Sequence, residues 1–187
     1  MATATVNYSS NTTITMDLAN LGTSATFVAG RESSQVDNTS NKYIDALVSG
    51  SVSVGTTPTA NTTIAIYVYG ADTSLATTAI DVLDGTDSAE TLTNTGILNA
   101  LRLGATIAVP AATSDVQYFV LPFSVASLFG GVLPKFWGLF VTHNTAVNLR
   151  NTAINTNSFE YVGIKYDIAL LFCRKPCGLR SRSTHQG

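Results

Sequence analysis

This 187-residue chain is 45% hydrophobic and only 12% charged, with a formal net charge of −2, two histidines and two cysteines. Ample apolar content with little net charge excludes a disordered chain, and a domain of this size can bury a core without disulfide staples. Abundant Thr, Ser and Asn in place of ionic side chains describe a neutral, hydroxyl-rich surface built on strands and turns.

Met1-Ala2-Thr3-Ala4-Thr5-Val6 lacks the positive charge and apolar block of a signal peptide, so synthesis is expected to end in a cytoplasm. Asn-x-Ser/Thr sequons at Asn7, Asn11, Asn38 and Asn61 are what a chain rich in Asn and Thr produces by chance. Residues 1–23 read as an N-terminal arm or first strands, with strand candidates over 3–8 and 12–16 and another over 24–28. The cleanest alternation runs from Tyr43 to Val54, with Ile44, Ala46, Val48, Val52 and Val54 opposing Asp45, Leu47, Ser49, Ser51 and Ser53. After a turn-rich connector, Ile64, Ile66 and Val68 oppose Ala65, Tyr67 and Tyr69. These two segments are expected to pair as a hairpin.

Between Ala71 and Thr95 lies a long polar stretch with isolated apolar residues, which reads as a protruding loop. It holds Asp81, Asp84, Asp87 and Glu90 spaced by three, and clustered oxygens are what a hard cation requires. The pattern departs from the helix-loop-helix calcium register. It therefore reads as a solvated acidic loop, with these four as the metal-ligand candidates and no cofactor assigned. Residues 94–103 are a helix candidate, and 104–109 and 116–121 are strands.

The stretch from Gln117 to Thr142 is an apolar run broken by Pro122, Gly130-Gly131 and Pro134. A bilayer helix needs about 20 unbroken apolar residues, so the run is core, not membrane anchor. Ser124 to Phe129 is a short helix started by the Ser124 hydroxyl and ended at Gly130. The strand over 135–142 places Phe136 and Phe140 on one side and Trp137, Leu139 and Val141 on the other. Such a strand is covered on both faces, by a second sheet and by a neighbouring subunit. Phe136, Trp137 and Phe140 are the interface candidates, with Trp137 read by default as a hydrophobic anchor of the core, and they are joined by Arg31 and Arg150 as partners for carboxylates in subunit contacts.

With a last strand over 161–171, these elements predict an all-β chain: an antiparallel, jelly-roll-like β-sandwich over residues 24–171, with an extended N-terminal arm and little helix. Residues 172–187 form a basic tail carrying Arg174, Lys175, Arg180 and Arg182, read as a solvated terminus rather than a nucleic-acid contact. Cys173 and Cys177 are spaced neither as a redox pair nor as half of a zinc set. Even with His185 they fall one ligand short, and they read as reduced thiols.

No nucleophile elbow, His-Glu-x-x-His or phosphate loop occurs, and His143 and His185 are the only imidazoles. His143 reads as a turn or interface residue, and the chain as a non-enzyme.

The segments 30–39 (Gly30-Arg31-Glu32-Ser33-Ser34-Gln35-Val36-Asp37-Asn38-Thr39), 43–48 and 129–138 (Phe129-Gly130-Gly131-Val132-Leu133-Pro134-Lys135-Phe136-Trp137-Gly138) are similar to those of small β-structured virion proteins of tailed bacteriophages. The likeness spans about residues 25 to 168. It implies a particle component located in the virion, a head decoration or cement protein with a jelly-roll-like fold that clamps the major capsid protein, and it implies no catalytic residues. A homotrimer whose N-terminal residues reach an adjoining subunit fits this reading. Competing readings are another phage part, whether shell, tail or receptor-binding component, and a carbohydrate-binding module using Tyr67, Tyr69 and Trp137 as stacking rings.

Overall fold

A computed structural model describes residues 2–170. Cys173, Cys177, His185 and the basic residues Arg174, Lys175, Arg180 and Arg182 lie outside the described residues.

Eleven strands follow one another: β1 (Ala2–Tyr8), β2 (Thr12–Ile14), β3 (Ala29–Glu32), β4 (Val36–Asp37), β5 (Asp45–Ser53), β6 (Thr62–Ala71), β7 (Ser88–Thr91), β8 (Arg102–Val109), β9 (Gln117–Ser124), β10 (Phe136–His143) and β11 (Phe159–Leu170). All pairings are antiparallel. Among the described residues helix is confined to α1 (Val125–Leu128) and two 3-10 turns, Thr95–Asn99 and Ala153–Asn155. The Ser124 hydroxyl accepts from the Ser127 N–H at 3.1 Å, and the chain leaves α1 through Gly130 at φ 73°, a left-handed position that glycine fills without strain.

The first sheet runs β1-β11-β5-β9, with β2 continuing the β1 rank along β11. The second runs β7-β3-β10-β6-β8, with β4 continuing the β3 rank along β10. Counting β1/β2 and β3/β4 as single interrupted ranks and β7 as an addition, the ranks fall in the order first, eighth, third, sixth in one sheet and second, seventh, fourth, fifth in the other. Consecutive ranks thus lie in opposite sheets, except the fourth and fifth, β6 and β8, which pair within the second sheet. This is a jelly roll, a fold of viral capsid, lectin and cupin domains.

That topology corrects the hairpin expected of residues 43–69. β5 pairs with β11 and β9, whereas β6 pairs with β10 and β8. Both strands bury their branched residues, and alternation says which face is apolar but not which strand lies alongside. The strand expected over 24–28 instead begins at Ala29.

Between the sheets lie Ile14, Met16, Val48, Val52, Ile64, Ile66, Val68, Trp137, Leu139, Val141 and Phe159, all at most 1% exposed. Trp137 packs its ring edge-on against Tyr161, with centroids 5.3 Å apart. The sheets are tied along one side, where the Ser34 N–H donates to the Thr15 carbonyl at 2.9 Å. On the opposite side, β8 and β9 remain unpaired with each other and the sandwich gapes as a half-barrel.

The outer face of the second sheet is covered by the chain itself. Leaving β6 at one flank, the excursion 72–101 crosses to the far edge, adds β7 beside β3 and returns to β8. Leu75, Leu83, Leu92 and Leu101 drop onto Phe140 and Tyr69 to form a second apolar cluster. Polar clamps hold it down. The buried Glu32 carboxylate accepts the backbone N–H groups of Asp84 at 3.0 Å and Gly85 at 2.7 Å. The Gln35 amide donates to Ser74 at 2.7 Å and accepts from Leu75 at 3.1 Å.

Candidate interaction surface

The covered sheet corrects one expectation directly. Trp137 and Phe140 are both 0% exposed, one in the inter-sheet core and the other under the excursion, so no neighbouring subunit is needed to cover either face of β10. Phe136, half-buried at the strand's start, lies opposite Asp37 and Ala71. The scattered leucines between Ala71 and Thr95 supply the covering that the sequence reading assigned to a partner. A carbohydrate platform on Tyr69 and Trp137 is excluded by the same burial.

Arg31 and Arg150 are paired within the chain. Arg31 Nε donates to Asp87 Oδ1 at 2.6 Å and its Nη2 to the Asp87 carbonyl at 3.1 Å, fastening β3 to the excursion. Arg150 Nε lies 3.4 Å from Asp115 Oδ1, in a half-exposed pair of the kind worth little in water. The acidic residues do not converge either. Asp81 accepts from the Thr93 N–H and hydroxyl, Asp84 from the Thr86 N–H, Asp87 from Arg31, and Glu90 from Ser88. Among the described residues, no three His, Cys, Asp or Glu side chains gather as metal ligands.

His143 lies neither in a turn nor at the surface. It is 0% exposed at the end of β10, its Nε2 donates to the Leu21 carbonyl at 3.1 Å, and its Nδ1 faces the Thr145 hydroxyl at 2.9 Å. Burial lowers its pKa and keeps the ring neutral, a tie between β10 and the preceding loops.

What remains uncovered is the outer face of the first sheet. Phe159 and Tyr161 of β11 point into the core, so by alternation Val162, Ile164 and Tyr166 point outward. Register places Tyr8 opposite Ile164, Val6 opposite Tyr166, and Leu47 opposite Val162. On β9, Val120 faces in while Phe119 and Leu121 face out, 71% and 82% exposed. The apolar run from Gln117 is therefore not all core. An open groove of about 480 Å³ lies on this face, walled by Thr13, Ser49, Ser51 and Glu160 with Phe119 and Leu121 at its rim.

Past Ile164, β11 has lost β5 as a neighbour and continues to Leu170 paired with β1 alone. The extended arm is thus a two-stranded ribbon made of residues from both ends of the described chain. One face carries Thr5, Asn7, Lys165 and Asp167, with the Asn7 amide donating to Asp167 at 2.7 Å. The other carries Val6, Tyr8, Ile164 and Tyr166, and it continues the outer face of the first sheet. A lone two-stranded ribbon is marginally stable in water, and large contiguous apolar patches on a soluble protein mark interaction sites.

Among the described residues no helix is long and apolar enough to cross a membrane. Comparison of the chain with family models, curated proteins and solved structures finds no match.

Proposed function

We propose that this chain is a structural component of a virus particle, a capsid decoration protein that seats the outer face of its first sheet on the head lattice. The observation that carries this reading is the asymmetry of the two sheets. One outer face is sealed by an excursion of the chain's own, while the other leaves Phe119 and Leu121 in water on a face that also presents Leu47, Val162 and Tyr166. No lysine or arginine lies among these residues, so the face suits a neutral apolar protein surface rather than phosphate. The likeness of residues 30–39, 43–48 and 129–138 to phage virion proteins supplies the kind of particle, and the jelly roll accords with it by analogy of fold.

A shell-forming subunit is the second reading, favoured by the jelly-roll rank order itself. Copy number separates the two, because decoration adds to preformed heads whereas a shell protein assembles alone.

Antibody raised against the purified chain should label heads in particles prepared from its host. Added back to heads stripped of it, the chain should restore their resistance to heating, and Phe119→Asp should fail to do so. Purified particles that lack the chain would overturn the reading.

A further inference from the structure

Among the described residues the first sheet ends in two free edges, β1 and β9, and neither strand contains a charged residue. Soluble proteins ordinarily guard such edges with lysine or other charges against pairing with another chain. The second sheet follows that rule, with Arg102 in β8 and Glu90 in β7. In β9 the guard is Pro122, at the bulge, so Gln117–Leu121 ahead of it is the open edge. β1 has seven residues to set against these five. Because the first sheet has four antiparallel ranks, its outermost strands run in opposite directions, so β1 of a second copy in the same orientation meets β9 antiparallel. Each edge is apolar on the same outer face, through Val6 and Tyr8 on one side and Phe119 and Leu121 on the other, and cross-strand pairs of this kind stabilise a sheet. Beside the β9 edge lies an open groove of about 380 Å³ whose far wall is Gly104, Ala105 and Ile107 of β8.

We infer that copies of this chain associate head to tail, the β1/β11 ribbon of one adding as a strand to the β9 edge of the next. Charge selects a second copy over other strands. Arg174, Lys175, Arg180 and Arg182 give residues 171–187 a charge of +4, so the chain's −2 leaves −6 on the remainder. That basic segment of 17 residues follows Leu170, the residue paired with Ala2 at the ribbon's tip. A ribbon seated on β9 delivers it to an acidic body. Such a contact is heterologous, with different surfaces on its two sides, and it closes into a ring if the rotation per copy allows. The inference rests on the reading of this chain as an assembling structural protein, but it is tested without heads.

Sedimentation equilibrium of the full chain at micromolar concentration should give a mass that is a multiple of 19.6 kDa. Val6→Lys, which spoils the ribbon side, and Leu121→Lys, which spoils the β9 side, should each sediment as monomers with unchanged circular dichroism. Mixed together they should form a heterodimer and nothing larger, because only one intact junction can be made. Val6→Thr and Leu121→Thr, which keep strand propensity, should weaken association at least tenfold. A monomeric wild type, a Val6→Lys variant that self-associates like wild type, or a mixture that stays monomeric would each overturn the inference. A chain that oligomerises as described yet ignores heads would instead overturn the decoration reading alone.

Discussion

Glu32 is the group most exposed to a test by pH. It is buried beneath the excursion, and burial outweighs its two backbone N–H donors, pushing its pKa from 4.5 up to about 7. A carboxyl whose folded pKa is raised binds its proton more tightly in the native state than in the unfolded one. The stability it contributes is complete below about 4.5 and is lost as pH rises through about 7. That gap corresponds to roughly 3 kcal/mol. Glu32→Gln removes the titration but turns an amide NH₂ toward one of the two N–H groups, at a cost of about 1–3 kcal/mol for the donor left unpaired. The variant should therefore be the weaker protein near pH 4.5 and equal or stronger at pH 8. Urea unfolding of both proteins across this range reads the difference between them, which cancels the titrations they share. That difference should shift by about 3 kcal/mol in favour of the variant as pH rises. Parallel stability profiles would refute the claim that the carboxylate is held uncomfortably under the excursion.

Trp137→Ala should cost about 3–5 kcal/mol in urea unfolding, as cavities left by large core residues do. Trp137→Phe should cost less, since the buried indole N–H has no hydrogen-bond partner to lose. The wild-type indole should emit at short wavelength and resist iodide quenching. Gly138→Ala should destabilise by about 1–3 kcal/mol or more, because the added methyl overlaps the buried Tyr69 hydroxyl, and a thermal melt checks it. Asp87→Asn should leave the sandwich intact but raise hydrogen exchange in residues 72–101, since it removes the carboxylate that Arg31 grips; unchanged exchange there would show that the leucines alone hold the excursion.

The strands that later proved central were legible where one face is apolar and the other polar, as in β5 and β6, or where branched and aromatic residues run together, as in β10. β3 and β7 were not. Gly30-Arg31-Glu32 buries a carboxylate and Ser88-Ala-Glu-Thr buries almost nothing, so neither presents the alternation that marks a strand. The excursion was illegible for a related reason. Leu75, Leu83 and Leu92 stand apart in polar sequence with no period, and only the folded path brings them onto Phe140. That hidden contribution is why Phe140 was expected at an interface, whereas Trp137 sits in the core, as its default reading had it. The two-sided apolar strand was read correctly, but its cover came from the same chain. Phe119 and Leu121 were masked by the opposite effect, an apolar run dense enough to be read as core throughout.

Joining both extremities of the described chain in one ribbon has a consequence during synthesis. β1 is made before every other described strand, yet among the described residues its strand partner is β11, so it waits until residue 170 has been made. At about 5–20 residues per second the wait lasts many seconds. Throughout it the first sheet lacks a central rank, and the ribbon that would recruit another copy does not yet exist. A polypeptide cut short before β11 could neither complete its own fold nor join its neighbours, so truncated products would be kept out of whatever the finished molecules build.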